Sequence, residues 1–167
     1  FAPISISLEK TENNNFNIWV ISDTTNCTDT LLINTYSLKG KILSSSKQFL
    51  KIQAKSQLID SIPFCKDDEF IICKLKQQNV ESKVGFTKAI KNYDFPKPNI
   101  QYQYIGGQLK LSTNTPAFQI YLHGIKGNFS DNFFTLLPGE EKVLEIGDLE
   151  FNPNNLLIWS LYDLNKN

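Results

Sequence analysis

Apolar and polar residues alternate with a period of two along most of the chain, and this period predicts β-strands with one face in a core. In the first half the pattern and its turns predict about seven strands. Their expected spans are 1–8, 16–21, 31–38, a return strand from Lys41, 49–54, 57–62 and 69–75. Residues 16–21 are apolar on both faces, so we expect that strand to be central. A turn over 23–29 and a tight hairpin at Lys39-Gly40 separate neighbouring strands.

The same rhythm resumes at residue 100 and predicts about seven more strands. Their expected spans are 100–105, 108–113, 117–123, 133–137, 143–146, 149–151 and 156–162. Gly106-Gly107 and Pro138-Gly139 have the backbone freedom that tight turns require. Short strands with turn residues between them, and no helical period of useful length, predict an all-β protein with two tandem immunoglobulin-like β-sandwich domains.

The segment 84–99 differs from both halves. Pro96 and Pro98 stand one residue apart and force an extended path. We therefore place the domain boundary here, with one domain at 1–94 and the other at 95–167. Three aromatic residues in this segment are expected to pack the connection against one or both domains: Phe86, Tyr93 and Phe95.

Composition narrows the possible partners. With 167 residues, 41% of them hydrophobic and 20% charged, the chain should be globular. All 17 basic residues are lysine and balance 17 acidic residues. Because no arginine offers a bidentate fork, we expect no nucleic-acid partner. No apolar run approaches the roughly 20 residues that span a bilayer, so we expect no transmembrane helix.

The chain begins at Phe1 and contains no methionine. It also begins without the charged and apolar segments of a signal peptide. We therefore expect it to be an excised or processed piece, with any targeting signal elsewhere.

The cysteines are an odd set of three: Cys27, Cys65 and Cys73. A bridge between Cys65 and Cys73 is conceivable across adjacent strands, but free buried thiols are the favoured interpretation. The spacing matches no zinc pattern.

Acidic residues and histidine point to no catalytic centre. Glu140-Glu141 and the acidic run 67–69 are the tight acidic groups, and adjacent carboxylates on a turn diverge into solvent. Neither has the spacing of a calcium loop. His123 is the sole histidine and has no motif partner nearby. We predict no catalytic residue, no metal and no cofactor in this chain.

With no catalytic centre predicted, the aromatic residues suggest a binding function. They could form a flat platform on which a pyranose ring stacks. The candidates are Trp19, Trp159, Tyr93, Tyr102, Tyr104 and Tyr162. Apolar neighbours on both sides of the tryptophans favour packing in a core or a domain interface. Tyr102 and Tyr104 share a strand face near the connection, and together with Trp159 they form the candidate sugar site.

The stretch 128–142 reads Asn-Phe-Ser-Asp-Asn-Phe-Phe-Thr-Leu-Leu-Pro-Gly-Glu-Glu-Lys, and a Gly-x-Leu-x-Leu-Ser strand precedes it at 107–112. Ser-Leu-x-Asp follows at 160–163. Together these resemble the C-terminal immunoglobulin-like domain of β-mannosidases, glycoside hydrolases of the family 2 type. Thr135 departs from the pattern, where an acidic residue is common. The first half is more loosely similar to the domain that precedes this tail.

This resemblance implies an accessory role. Such enzymes carry two catalytic glutamates on a (β/α)8 barrel, which this chain lacks. We therefore expect a non-catalytic region that packs against and supports the barrel of the same parent chain. The parent would hydrolyse terminal β-mannosides and be secreted, periplasmic or lysosomal. Two alternatives stay open: a carbohydrate-binding module whose surface aromatics hold a glycan, and an adhesive module.

Overall fold

The structure is a computed structural model, and it describes residues 4–23, 26–77, 80, 82–125, 128–147 and 152–164. Strands dominate it, which confirms the all-β prediction. The chain divides into two compact units, one formed by residues up to 37 with 41–93, the other by 38–40 with residues from 94 onward. Each unit has a hydrophobic core of its own.

The first unit contains seven described strands in two antiparallel sheets. They are β1 (Ile4–Lys10), β2 (Asn15–Ser22), β3 (Cys27–Ser37), β4 (Ile42–Ile52), β5 (Ser56–Pro63), β6 (Glu69–Leu75) and β7 (Lys83–Gly85). The sheet orders are β1-β2-β5 and β4-β3-β6-β7. Strand β2 is central, as its two apolar faces predict, and its inward residues are buried with those of β3 and β6 in one core. A 3-10 turn at Ile90–Asn92 follows.

Three predictions for the first unit were wrong in detail. Strand β3 begins at Cys27, inside the predicted turn, and β4 is one strand of eleven residues rather than two. The run 42–47 is exposed at every position, so it carries no period of two. Its extended form follows from pairing with β3 over residues 42–52. Strand β7 lies in the segment predicted as connection, because it pairs with β6.

The second unit contains six described strands, again in two antiparallel sheets. They are β8 (Ile100–Ile105), β9 (Gln108–Thr113), β10 (Ala117–His123), β11 (Phe134–Leu136), β12 (Glu141–Glu145) and β13 (Leu157–Trp159). The sheet orders are β12-β9-β8 and β11-β10-β13. The β8–β9 hairpin turns through Gly106 and Gly107 with φ of 59° and 82°, as the glycine pair predicts. Inward residues of both sheets form one core.

The last predicted strand, 156–162, ends at Trp159 and gives way to a short helix, α1 (Leu161–Leu164). Hydrogen bonds between Ser160 and Asp163 stabilise the start of this helix. Asp163 Oδ2 accepts hydrogen bonds from Ser160 N at 2.8 Å and from Ser160 Oγ at 3.0 Å. A 3-10 turn at Pro153–Asn155 precedes β13. The predicted strand 149–151 and residues 1–3 of the first lie outside the described residues.

The aromatic residues of the predicted connection are packed. Tyr93 is buried in the first unit, where its ring lies 5.1 Å from that of Phe86 and its hydroxyl accepts a hydrogen bond from Thr87 N at 3.0 Å. Phe95 is buried in the second unit, 5.3 Å from Phe118 between ring centroids. These contacts confirm that the aromatic residues hold the segment against its neighbours.

Candidate functional site

The stretch 128–142 links the two sheets of the second unit. Its first part lies beside β12, where Phe129 forms a bridge with Ile146. Ser130 N donates to Glu145 O at 3.0 Å, and Glu145 N donates to Ser130 Oγ at 3.0 Å. These bonds fasten the start of the stretch to the sheet that contains β8 and β9.

Asn132 fastens the next part to the opposite sheet. Its Oδ1 accepts a hydrogen bond from Leu122 N at 2.9 Å, and its Nδ2 donates to Leu122 O at 3.1 Å. The amide side chain thus takes the place of a strand backbone beside β10. Asp131 Oδ1 accepts from Asn132 N at 2.8 Å, and Asp131 Oδ2 pairs with Lys142 Nζ. Asp131 and Asn132 therefore have a structural role in the motif, because their side chains attach it to β10 and to Lys142.

The remainder of the stretch forms the predicted strand, turn and strand. Phe134 and Leu136 of β11 are buried in the core. Gly139 takes the turn position with φ of 82°, and Glu140 N donates to Leu137 O at 3.1 Å across the turn. The stretch is thus a structural connector with no reactive group at its centre.

The acidic groups have structural partners too. Glu141 lies 3.5 Å from Lys110, Glu140 Oε2 accepts from Leu137 N at 3.4 Å, and Glu69 Oε2 accepts from Lys66 N at 3.1 Å. Within the part of the chain that the structure describes, no group of three or more histidine, cysteine or acidic residues is placed to hold a metal ion. No helix among these residues has the length and apolar character to cross a membrane.

None of the three cysteines is in a disulfide, so the conceivable Cys65–Cys73 bridge is not formed. The expected burial holds for Cys73, whereas Cys27 and Cys65 are half-buried. Burial is the main cause that raises the pKa of Cys73, from 9.0 to about 12, and that of Cys65, to about 11. Because the thiolate is the nucleophile, both thiols should be poorly reactive at neutral pH. They are therefore structural groups in the first unit.

We expect the stability of the protein to fall as the pH rises above about 9, since the folded state keeps thiol protons that the unfolded state loses. The contribution is complete below that pH and is lost toward about 11 for Cys65 and about 12 for Cys73. Urea unfolding at neutral pH and at about pH 10 measures the loss. Tyrosine and lysine also titrate there, so Cys73→Val is the comparison. An equal loss in this variant would contradict the assignment.

The predicted sugar residues do not share one sheet. Tyr102 and Tyr104 lie on β8, opposite Leu111 and Leu109, and are 39% and 36% exposed. Trp159 lies on β13 in the other sheet and is 47% exposed. Trp159 is therefore not a core residue of this unit.

Trp19 is half-buried in the first unit. Its Nε1 donates to Glu9 Oε2 at 2.9 Å. This bond and the partial burial give Trp19 a packing role.

Trp159 instead belongs to a row of rings that sequence reasoning missed. This row, the aromatic strip, consists of Phe133, Tyr121, His123 and Trp159. The ring centroids are 4.9 Å apart for Phe133–Tyr121, 5.2 Å for Tyr121–His123 and 4.6 Å for His123–Trp159. The sequence did contain a signal for this row, namely the period of two in β10. This period places residues 121 and 123 on one face of the strand, while the buried residues 120 and 122 lie on the other face.

Unusual backbone geometry positions one end of the aromatic strip. Gln119 and Phe133 have positive φ values of 50° and 62°, although neither is glycine. Gln119 lies in the register shift of β10 between Ala117 and Ile120, and Phe133 N donates to Ile120 O at 2.7 Å. A left-handed conformation costs roughly 1–2 kcal/mol per residue. The fold tolerates this strain in two residues that bring the Phe133 ring beside Tyr121.

Comparison with known families matches residues 95–164 to the family model Ig_mannosidase, described as an Ig-fold domain. The match contains the whole stretch 128–142 and all four residues of the aromatic strip. No curated protein matches the chain.

Solved structures show the same fold. The β-D-mannosidase from Dictyoglomus thermophilum matches with a TM-score of 0.78 and 14% identity, over 95% of this chain and 21% of that one. The exo-chitosanase CsxA from Amycolatopsis orientalis, in complex with PNP-beta-D-glucosamine, matches with a TM-score of 0.59 and 13% identity. That match covers 98% of this chain and 24% of the other. The chain thus spans about a fifth to a quarter of the chains it matches.

Proposed function

We propose, from the premise that residues 95–164 are an Ig-fold domain of the Ig_mannosidase family, that this chain is a non-catalytic accessory region of a glycoside hydrolase. Its role is to pack against the catalytic barrel of the same parent protein and support the geometry of that barrel. The parent reaction is hydrolysis of terminal β-mannosides, and the two catalytic carboxylates belong to the barrel.

The family match is the observation that carries this proposal, because it names mannosidases and spans the signature stretch. The fold match supports it. The Dictyoglomus mannosidase aligns with nearly all of this chain while most of its own length lies outside the alignment. An accessory region is expected to show this asymmetry.

The chemistry of the described residues agrees with an accessory role. The carboxylates of Glu69, Glu140 and Glu141 hold backbone amides or a lysine, so each has a structural function. Retaining glycosidases need two carboxyl groups about 5–5.5 Å apart beside the scissile bond. The glutamates of the tight acidic groups instead bind a turn amide or a lysine of the neighbouring strand.

An antibody raised against this chain tests the proposal. From an extract of the source cells it should recover a polypeptide about four to five times as long as this chain, since the chain covers 21% and 24% of its two matches. The antibody should also deplete activity on a chromogenic β-mannoside. The isolated chain should turn over neither a β-mannoside nor a β-glucosaminide.

Preimmune serum is the control for depletion. Recovery of a polypeptide no longer than this chain, with mannosidase activity left in the extract, would refute the accessory role. Depletion of glucosaminidase activity alone would keep the accessory role and overturn the mannoside substrate.

A further inference from the structure

We propose that the aromatic strip formed by Phe133, Tyr121, His123 and Trp159 is a binding site for a neutral oligosaccharide. The ligand class rests on the proposed function, and the existence of the site rests on the geometry of the strip. The site lies entirely in the second unit, on the outward face of the sheet β11-β10-β13.

Exposure is the first argument. Phe133 is 56% exposed and Trp159 is 47% exposed, and Leu157 beside them on β13 is 50% exposed. Single exposed apolar residues are ordinary, whereas a contiguous row on one sheet face marks a surface that binds something. Sugar C–H faces are apolar and stack on aromatic rings, so a pyranose fits such a surface.

Ring orientation determines how a sugar would bind. The planes of Phe133 and Tyr121 are 15° apart, and those of Tyr121 and His123 are 13° apart, so these three rings stack on one another. Trp159 stands at 76° to His123. The inner ring faces are therefore occupied, and Phe133 and Trp159 at the two ends carry the exposed surface. A ligand that contacts both ends has to extend along the whole row, which several linked pyranose units would do and a monosaccharide would not.

Polar groups and charge define the ligand further. His123 Nε2 is buried in the strip, and no described residue forms a hydrogen bond with it. A buried nitrogen without a partner needs an explanation, and a sugar hydroxyl would supply the missing bond if the exposed Trp159 ring moved aside to admit it. The strip has no carboxylate or ammonium group. A neutral manno-oligosaccharide therefore fits the strip, whereas a cationic chitosan oligomer would find no carboxylate among these four residues.

The strained backbone is an independent argument. Positive φ at non-glycine residues persists where the surrounding structure enforces it, and such residues cluster at ligand sites. Both Gln119 and Phe133 lie at the point where the strip begins. The strain places the Phe133 ring on Tyr121 rather than in the core, which agrees with a role for the exposed ring.

Isothermal titration of the full chain tests the site, with mannose, a series of linear β-linked manno-oligosaccharides and chitosan oligomers as the probes. We expect saturable heat that grows with oligosaccharide length, and none with mannose or chitosan. Trp159→Ala and Phe133→Leu should each weaken binding by about tenfold or more, because each removes one end ring. Circular dichroism and thermal melting confirm that each variant is folded.

Tyr102→Ala is the matched control, since Tyr102 is a partly exposed aromatic residue of the same unit on the other sheet. It should leave the affinity unchanged. No heat with any oligosaccharide at millimolar concentration would overturn the site, as would unchanged affinity in folded Trp159→Ala. Heat lost in Tyr102→Ala alone would move the site to β8 and refute this one. None of these results bears on the antibody experiment, so the accessory role succeeds or fails separately.

Discussion

Replacing Asp29 by alanine should lower the free energy of unfolding by about 3 kcal/mol, because its carboxylate is a buried hub of hydrogen bonds. Asp29 is 0% exposed. Its Oδ1 accepts from Lys76 N at 3.1 Å and from Gln77 N at 3.0 Å, just after the end of β6. It also accepts from Thr30 N at 2.5 Å. The carboxylate thus joins the start of β3 to the end of β6.

The size of the stability loss depends on which of these backbone N–H groups still has an acceptor in the variant. Lys76 N keeps a second acceptor, Thr30 O at 3.0 Å, whereas Gln77 N loses both carboxylate oxygens. Hydrogen bonds to charged groups are worth about 1.5–3 kcal/mol each, and the alanine also leaves a cavity. The sum is partly offset because the cost of burying a charge disappears.

Urea unfolding of the variant and the parent protein measures the difference. Asp23→Ala is the control, since Asp23 is exposed in the loop before β3, and it should change stability by less than about 0.5 kcal/mol. Asp29→Asn keeps one oxygen acceptor and should give an intermediate loss. A loss in Asp29→Ala no larger than that in Asp23→Ala would show that the buried carboxylate contributes nothing to stability.

Replacing Asn132 by alanine should cost about 2 kcal/mol, because both backbone groups of Leu122 lose their side-chain partner. Leu122 is 2% exposed, so water reaches these groups poorly. Asn132→Asp should be no better, since its carboxylate cannot donate to Leu122 O and would face that carbonyl oxygen instead. The effect should be greatest near Leu122 and the strip residue Phe133.

Hydrogen exchange together with urea unfolding tests this prediction. The Leu122 amide should exchange faster in Asn132→Ala than in the parent protein, while the β8–β9 hairpin should change little. Asn154→Ala is a suitable control because Asn154 is an exposed asparagine of the same unit. If Asn132→Ala and Asn154→Ala unfold at the same urea concentration, Asn132 is not the connector that its geometry indicates.

The elements predicted well are those whose local signals agree. The β8–β9 hairpin has alternating apolar residues on both sides of Gly106-Gly107, and its observed strands have the predicted bounds. Strand β2 has two apolar faces and is central in its sheet. Each signal acts within a few residues, so it can be read along the chain.

The elements predicted poorly depend on partners distant in sequence. The exposed run 42–47 is extended because β3 pairs with it, and β3 begins early because residues 27 and 28 pair with residues 52 and 51 of β4. Strand β7 forms by pairing with β6. Local propensity does not contain these long-range hydrogen bonds.

The candidate site also has one part that local sequence signals predict and another part that depends on strand pairing between distant residues. The motif 128–142, and with it the likeness of residues 95–164 to an Ig-fold domain model, could be inferred from the order of residues, because turn chemistry and apolar period are local properties. Only the tertiary structure shows that the Trp159 ring contacts His123, whereas the sequence analysis grouped Trp159 with Tyr102 and Tyr104. Ring contacts depend on which strands pair and on which sheet each joins, and β10 pairs with β13 across more than thirty residues of chain.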